Sequence, residues 1–537
     1  MDTQSQVVER LRSSFGSGVT IPEPFRQAQL KRLMAMIKEN EQLIINALHK
    51  DLAKPKFEVA LAEIDGTVNE LHHAIVNLSS WMKPEYVSKN LATKLDECFV
   101  RREPLGVVLI IGAWNYPLQL ILNPLIGAIA AGNCAVLKPS EVAPATESLV
   151  AELIPKYLSQ DCYAVVQGGA EETQALLKNR FDHIFYTGKN FGSQKVARVI
   201  LQAASVHLTP VTLELGGKCP CLIFGRVDIK VAVRRLVWAK FFNAGQSCVA
   251  PDYVLCLPAT RDAILTVLKE TLEEFYTEDP QGSPDFCRIV SPRHWSRLMD
   301  LLKRSNGKVV VGGESDQEDK YIGEPELLST LLFLIFSVFN SGSKLSFVPG
   351  TFSAPTVVVD VAEDDALMQE EIFGPILPIL TVDSVAQGIE FLNGKDKPSG
   401  ALRLLRRLFD CEHGAGEDEQ RRILFQRRDH PPHPAQLPLR GRRWVSASPA
   451  CSYPTLPQGG ICNHLRSLGF FGRLSRLSVS RSVAVPPGAS GSGSYHGRWG
   501  FETFSHRKAC MLRGWALERL NGLRYPPYNE EKLSMLR

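Results

Sequence analysis

The chain contains 537 residues, of which 44% are hydrophobic, 22% charged and 8% aromatic. This length is too great for one hydrophobic core and predicts two or three globular domains. A formal net charge of +4 is close to neutral for this size, so the composition gives no reason to expect a nucleic-acid partner.

The sequence predicts neither a membrane anchor nor a metal site. Its most apolar run, residues 331–339, is shorter than the roughly 18 to 20 residues that a membrane span needs. The last four residues contain no cysteine for prenylation, and the first five lack the basic start of a signal peptide. The 12 cysteines are scattered without Cys-x-x-Cys pairs, which argues against a zinc site or a disulfide frame and favours a reducing, cytoplasmic location.

The first half of the chain changes from a helical to an α/β pattern. Residues 24–50 have the apolar spacing of one amphipathic helix, and a second helix is predicted at 58–81. Helical stretches then alternate with short apolar runs, which is typical of a parallel sheet that binds a nucleotide at the carboxyl ends of its strands, although no Gly-x-Gly-x-x-Gly motif is present. The predicted strands are 106–111, 134–137, 164–166 and 183–186.

A second α/β stretch begins near residue 211. Helices are predicted at 228–242 and 260–276. The strands are 221–224, 253–256, 308–311 and 356–359. Residues 323–353 interrupt an otherwise short connection and are interpreted as an insert.

Residues 398–487 do not follow the α/β pattern. Arginine, proline and serine are frequent there, lysine is absent, and no helical or strand periodicity is present. One interpretation is a disordered insert. We favour translation in a shifted reading frame or across an intron, because natural basic segments usually mix lysine with arginine. Sequencing the transcript across this region distinguishes the two.

The residues around Cys248 are suited to a reactive thiol. The run Asn-Ala-Gly-Gln-Ser-Cys at 243–248 follows a helical stretch, and Glu214 precedes a Gly-Gly turn upstream. A thiol with a carboxylate that activates water is the minimum for thioester chemistry. Asn115, after the first strand, could add its side-chain NH₂ to the Cys248 amide as an oxyanion hole. The alternatives are a buried core thiol and an ordinary turn asparagine.

Two further motifs are suited to a dinucleotide. Lys138 follows a strand and could hydrogen-bond ribose hydroxyls, while the charge of Glu141 would disfavour a 2′-phosphate. Glu371 and Phe373 pair a carboxylate with an aromatic ring, which suits a ribose and a flat base. Alone, the Lys138 motif is more often a solvated turn, and the Glu371 motif is an ordinary helix-to-turn sequence.

Taken in this order, the motifs make residues from about 24 to 397 resemble the aldehyde dehydrogenase superfamily, and more closely its class 3 branch. The stretches whose sequences are most similar to that branch are 48–52, 210–217 and 242–248, and the similarity resumes at 494–497, 501–506 and 523–527. The resemblance implies an α/β fold with two doubly wound parallel-sheet domains and a small β-hairpin oligomerisation arm.

The resemblance also implies the domain boundaries. An NAD(P)-binding domain is expected at 1–80 and 103–209, with the arm at 81–102 and the C-terminal residues 488–537 near it. A catalytic domain is expected at 210–397, including the insert at 323–353, and the aberrant segment at 398–487 follows.

The implied activity is oxidation of aromatic or medium- to long-chain aliphatic aldehydes to carboxylic acids, with NAD as cofactor and NADP as a second candidate. Cys248 resembles the nucleophile, Glu214 the general base, and Asn115 part of the oxyanion hole. The family implies a homodimer, but its pairing strand is not legible in 398–487, so we expect a compromised dimer. The expected cofactor contacts are Trp114, Lys138, Glu141, Gly188, Gly192, Ser193, Glu371 and Phe373.

The turn that faces the cofactor phosphates departs from the family pattern. Relative to that pattern, four residues are inserted after Thr187, so either Gly188 or the pair Gly192 and Ser193 takes the phosphate-facing position. Two other functions remain open: a catalytically impaired relative that only binds nucleotide or a partner, and a cysteine hydrolase that uses no cofactor.

Overall fold

The structure is a computed structural model that describes residues 3–89, 93, 96–188, 193–225, 227–313, 354–395, 402–405, 485–488, 490–513, 522 and 525–536. The predicted insert at 323–353 lies outside the described residues, as does all of 398–487 except 402–405 and 485–487. No described helix is long and apolar enough to cross a membrane.

A seven-stranded sheet forms the first half of the molecule, in the order β14-β15-β7-β6-β3-β4-β5. Strands β3 to β7 are parallel, and each of β3 to β6 is followed by a helix that leads to the next strand. The strands are β3 (Val107–Ile111), β4 (Cys134–Lys138), β5 (Tyr163–Val165), β6 (His183–Thr187), β7 (Val211–Glu214), β14 (Val485–Gly488) and β15 (Gly491–Gly493).

Eight helices of the described chain accompany this sheet. They are α1 (Gln4–Gly16), α2 (Glu23–Glu39), α3 (Glu41–Leu52), α4 (Gly66–Trp81), α5 (Gln119–Ala131), α6 (Pro144–Tyr157), α7 (Ala170–Leu177) and α8 (Ser193–His207). The predicted single helix at 24–50 is wrong, because the chain breaks at Asn40, whose side chain donates to the Met36 carbonyl at 2.8 Å. The predicted helix at 58–81 begins with a π-helical stretch, Val59–Asp65.

A six-stranded sheet forms the second half, in the order β10-β11-β12-β9-β8-β13, and only β10 is antiparallel to its neighbour. Its strands are β8 (Pro220–Phe224), β9 (Tyr253–Cys256), β10 (Lys308–Val311), β11 (Thr356–Val359), β12 (Ile376–Thr381) and β13 (Leu402–Leu405). The accompanying helices are α9 (Ile229–Phe241), α10 (Pro258–Tyr276), α11 (Pro292–Arg304), α12 (Ala366–Gln369) and α13 (Val385–Asn393). Strand β13 lies inside the stretch that the sequence sets apart as aberrant, and it pairs in parallel with β8.

A small antiparallel sheet combines the predicted arm with the C-terminal part of the chain. Strands β1 (Glu85–Tyr86), β2 (Glu97–Pro104) and β16 (Ser505–Leu512) form it, and β2 pairs with β16 along its whole length. Between β15 and β16, helix α14 (Gly497–Thr503) returns the chain, and α15 (Glu530–Leu536) ends it. The use of 81–102 as an oligomerisation arm stays a prediction.

The C-terminal residues contact the first sheet as well as the predicted arm. Strand β15 pairs with β7, so that Gly491 lies opposite Glu214. The Asn133 side chain donates to the Phe504 carbonyl at 2.9 Å, and the Phe504 ring lies 5.8 Å from that of Phe185 on β6. Because β7 pairs with β6, Val211–Glu214 belongs to the first sheet, whereas the sequence starts the second α/β stretch there.

Candidate active site

The strand order of the first sheet reverses between β3 and β6. From β3 the chain continues to β4 and β5 on one side. It then crosses to β6 and β7 on the other side of β3. Ligands of doubly wound sheets bind at the carboxyl ends of such strands. The loop that carries Trp114 and Asn115 follows β3, and Gly188 follows β6, so three of the predicted site residues lie at this crevice.

Cys248 follows a tight turn at the end of α9. A 3₁₀ turn at Phe242–Gly245 places Asn243, Ala244 and Gly245 in the left-handed region, with φ of 55°, 51° and 73°. A Cβ on Gly245 would lie 2.3 Å from the Gly374 carbonyl oxygen, so only glycine fits this approach. The turn leaves Cys248 partly exposed and brings its loop against the segment that carries Phe373.

The Asn115 loop is bonded directly to the Cys248 loop. Asn115 is fully buried, and its Nδ2 donates to the Gln246 carbonyl at 3.1 Å, two residues before Cys248. Asn243 Nδ2 donates to the backbone carbonyls of Asn115 at 2.9 Å and Gln246 at 3.0 Å. A side-chain NH₂ carries two N–H groups, so Asn115 retains a second donor beside the Cys248 loop.

Glu214 ends β7 on the neighbouring strand. Its carbonyl accepts from the Gly188 amide at 3.0 Å, which fixes the end of β7 beside the end of β6. Tyr495 lies in the electrostatic field of both Glu214 and Cys248, and burial raises the pKa of this phenol. Burial likewise raises the pKa of Tyr116, which also hydrogen-bonds Ser247. The predicted nucleophile and base therefore have Tyr495 as a common neighbour, and Tyr116 is a second phenol near the nucleophile.

Glu371 and Phe373 lie in the loop between α12 and β12. The Phe373 ring packs edge-on against Trp114, with centroids 5.4 Å apart. A Cβ on Gly216 would lie 2.0 Å from Oε2 of Glu371, so the carboxylate rests directly on the glycine turn that follows Glu214. The predicted cofactor residues Trp114, Glu371 and Phe373 thus come together from two separate loops, one after β3 and one before β12.

Two cations hold this loop in place. Arg297 on α11 donates to Glu370 Oε1 at 2.9 Å and to the Ile372 carbonyl at 2.5 Å. Lys218 donates to the Glu370 carbonyl at 3.0 Å and also to Asp252. These contacts satisfy the backbone of a loop that has no secondary structure of its own.

Lys138 and Glu141 lie together at the end of β4. Lys138 Nζ is 3.4 Å from Glu141 Oε2 and donates to the Pro139 carbonyl at 2.5 Å. The Glu141 side chain is 50% exposed, so it can accept from a ligand. Gly192 lies outside the described residues, and Ser193 begins α8, with its side chain also outside them.

These positions fit a dinucleotide. Lys138 supplies a buried ammonium and Glu141 an exposed carboxylate at one strand end, which suits the hydroxyls of a ribose. At the neighbouring strand end Gly188 packs against Tyr186, and a Cβ there would lie 2.2 Å from the Tyr186 hydroxyl oxygen. Among the described residues, no cluster of three or more His, Cys, Asp or Glu side chains could hold a metal ion.

Comparison with known proteins decides the family. The model of the aldehyde dehydrogenase family matches residues 5–331 and 338–400, well over half of the chain. The chain belongs to the aldehyde dehydrogenase family. This confirms the resemblance and, with the two doubly wound sheets, the predicted fold class.

Individual relatives of this aldehyde dehydrogenase agree with the class 3 assignment. Aldehyde dehydrogenase family 3 member B1 of Bos taurus is 42% identical over 100% of this chain and 97% of its own. Family 3 member A2 of Rattus norvegicus is 39% identical, over 98% of this chain and 92% of its own. The substrate-bound state of Staphylococcus aureus AldH is 33% identical with a TM-score of 0.79, and covers 100% of this chain and 99% of that one.

The structure of the dehydrogenase adds residues that sequence reasoning missed. Lys54 and Glu63 form a fully buried ion pair of 2.7 Å, and Lys54 also donates to the Asn115 carbonyl at 3.3 Å. Arg297 is likewise absent from the sequence motifs. The sequence carries no signal for the buried charges at 54, 58 and 63, because charged residues beside an apolar helix are usually solvated.

Proposed function

We propose that the protein is an NAD(P)-dependent dehydrogenase that oxidises apolar aldehydes to carboxylic acids through a thioester on Cys248. The observation that carries the proposal is the hydrogen bond from Asn115 Nδ2 to the Gln246 carbonyl. It joins an amide donor to the loop of a partly exposed thiol, beside the strand that ends in Glu214.

The first step is addition of the Cys248 thiolate to the aldehyde. The Cys248 thiolate adds to the aldehyde carbon, a C–S bond forms, and the carbonyl π electrons move to oxygen. The resulting oxyanion accepts hydrogen bonds from the second N–H of Asn115 and the Cys248 backbone amide. Donors that are fixed before the reaction stabilise this charge without reorganising.

The second half of the reaction uses Glu214. When bound, a nicotinamide cofactor would supply the hydride acceptor needed to oxidise the thiohemiacetal to the thioester. The carboxylate of Glu214 then takes a proton from water, hydroxide adds to the thioester, and the C–S bond breaks to release the acid and the thiolate. Residues that would hold the cofactor are Trp114, Lys138, Glu141, Gly188, Glu371 and Phe373, together with Gly192 and Ser193.

The expected substrate is apolar, either aromatic or medium- to long-chain aliphatic. Support comes from Tyr116 and Tyr495, whose phenols lie in the electrostatic field of Cys248. Aromatic rings near the nucleophile favour an apolar substrate. A cytoplasmic location is proposed because all nine described cysteines are free thiols, which suits a reducing compartment. We also propose that any homodimer is weakened, since the family's pairing strand is not legible in 398–487.

The test is NADH formation from hexanal and NAD by the full chain. We expect steady turnover from the wild type and none from Cys248→Ala, with NAD binding retained. Cys510→Ala, at another partly exposed thiol, should leave turnover unchanged. Glu214→Gln should release about one equivalent of NADH and then slow at least ~100-fold, since the base acts on water.

The same assay separates the alternatives. An impaired relative would bind NAD without forming NADH, and a cysteine hydrolase would cleave esters while never reducing NAD. Both are less well supported, because nucleophile, base and amide donor stand on neighbouring loops. Turnover that persists in Cys248→Ala would show that the nucleophile is wrongly assigned.

A further inference from the structure

A buried carboxylate lies behind the nucleophile loop and has no part in the mechanism above. Glu58 ends a short helical turn, Lys56–Glu58, and is 7% exposed. Its Oε2 accepts from the Asn243 backbone amide at 2.9 Å and from the Cys287 thiol at 3.1 Å. Burial of a carboxylate is costly, so these two donors deserve a functional explanation.

The Asn243 amide belongs to a disfavoured turn. Asn243 and Ala244 have φ of 55° and 51°, a left-handed conformation in which Cβ crowds the backbone. Such a turn persists only where its surroundings hold it. The hydrogen bond from Asn243 to Glu58 is the contact that reaches this backbone from the first half of the chain.

The same residue, Asn243, also hydrogen-bonds both loops that carry the proposed catalytic residues Asn115 and Cys248. Its side chain donates to the carbonyls of Asn115 and Gln246, at 2.9 and 3.0 Å. We propose that Glu58 is a positioning residue, whose carboxylate fixes the left-handed turn at Asn243 and thereby sets where Cys248 and Asn115 meet the substrate. This inference rests on the roles proposed above for those two residues.

The charge of Glu58 matters for this task. An ionised carboxylate is a stronger hydrogen-bond acceptor than a neutral one. Burial raises the pKa of Glu58 to about 7, against the lowering effects of the Cys287 hydrogen bond, the Lys54 charge and the Asn243 amide, and Asp285 raises it further. The titratable groups that face it are Lys54, Asp285, Cys287, Tyr276 and Tyr116.

Stability and activity should therefore depend on pH in opposite directions at this group. A carboxyl whose folded pKa is raised from 4.5 to about 7 binds its proton more tightly when folded. Its contribution to the free energy of unfolding is complete below the unfolded pKa of 4.5 and is lost as the pH rises through the folded pKa of about 7. The ionised form, in contrast, holds the turn, so turnover should rise over the same interval.

The first experiment replaces Glu58 with Gln in the full chain. Glutamine keeps the shape and an acceptor oxygen but has no charge. We expect kcat for hexanal at pH 8 to fall roughly five- to tenfold, because a charge-assisted hydrogen bond is replaced by a weaker neutral one. The KM for NAD should change less than twofold, and the melting temperature at pH 8 should be equal or higher. The rate of Cys248 alkylation by iodoacetamide should fall with kcat.

The second experiment shifts the titration without touching the carboxylate. The Cys287 hydrogen bond lowers the pKa of Glu58. Removing the donor in Cys287→Ala should move the acidic limb of the kcat profile to higher pH, and the stronger donor in Cys287→Ser should move it lower. Opposite shifts from one position are not expected of a residue that only fills space.

The matched control is Asp182→Asn. Asp182 is also a partly buried carboxylate that accepts a backbone N–H, that of Val107 at 2.8 Å, but it lies at the amino end of β6. It should lose stability and keep the wild-type profile. Equal loss of kcat in this control, wild-type kcat in Glu58→Gln, or an unmoved profile in both Cys287 variants would overturn the inference. If the wild type forms no NADH, the proposed function fails, and the alkylation rates still decide the role of Glu58.

Discussion

Two lysines, Lys54 and Lys138, are both buried beside glutamates, yet their surroundings differ. Lys54 is enclosed: it donates to Glu63 at 2.7 Å and to the Asn115 carbonyl at 3.3 Å, and its ammonium lies 4.3 Å from the centroid of the Tyr116 ring. Both side chains of the Lys54–Glu63 pair are 0% exposed. No face of this pair is open to a ligand.

Lys138 has a looser set of partners. Its shortest bond, 2.5 Å, is to the carbonyl of the next residue, Pro139, and Glu141 is at 3.4 Å. The side chain of Glu141 is half exposed, so this pair opens toward solvent on one side. An ion pair with one exposed partner can exchange that partner for a ligand hydroxyl.

The two pairs therefore differ in role: the Lys54–Glu63 pair supports the fold, and the Lys138–Glu141 pair is proposed to contact the cofactor. The enclosed pair ties the start of α5 to the Asn115 loop, because Glu63 also accepts from the Leu118 and Gln119 amides at 3.1 and 3.0 Å. The open pair has a longer contact with the buried Glu147, 3.9 Å from the Lys138 ammonium, and lies where the cofactor is proposed to bind. Substitutions at the first should therefore change stability, and substitutions at the second should change affinity.

The largest effect is expected for Lys54→Met. Removal of the ammonium leaves Glu63 buried without its counter-charge, which should cost about 3–5 kcal/mol of unfolding free energy. Urea denaturation followed by tryptophan fluorescence measures the loss. The double variant Lys54→Met with Glu63→Gln should regain at least about 1 kcal/mol, since no uncompensated charge remains. A single variant as stable as the wild type would remove the distinction between the two lysines.

A change at Lys138 should reverse this pattern. In Lys138→Ala we expect the Kd for NAD to rise roughly tenfold or more, as for loss of a charged hydrogen bond, while stability changes little. Isothermal titration with NAD measures the affinity without relying on turnover. Lys156→Ala, at an exposed pair on α6, is the control and should bind NAD normally. Unfolding of Lys138→Ala under conditions in which the control is folded would contradict the comparison.

The sequence predicted the parts of this molecule that depend on local patterns. Short apolar runs located the strands of the first sheet from β3 to β6, because buried parallel strands read as continuous hydrophobic stretches. Polar motifs directly after predicted strands identified Asn115 and Lys138, and the Gly-Gly turn identified Glu214. The pairing of β15 with β7 was not predictable, since it joins residues far apart in the chain.

The supporting residues escaped prediction for a different reason. Glu58 and Arg297 act on backbone groups of distant loops, at Asn243 and at residues 370–372, and nothing in their own neighbourhoods marks those partners. Charged residues on a helix are usually solvated. Only the fold shows that these two are turned inward.

The smallest effect is expected at Glu141, and it bears on the choice of cofactor. If the open pair binds the adenosine ribose, the Glu141 carboxylate repels a 2′-phosphate. Glu141→Gln should then raise kcat/KM for NADP about three- to tenfold, and lower that for NAD by no more than about twofold, because exposed charges are screened. Glu152→Gln, an exposed ion-paired glutamate on α6, is the matched control. An unchanged ratio of NADP to NAD use would place the ribose away from Glu141, and the open side of the Lys138 pair would then need another occupant.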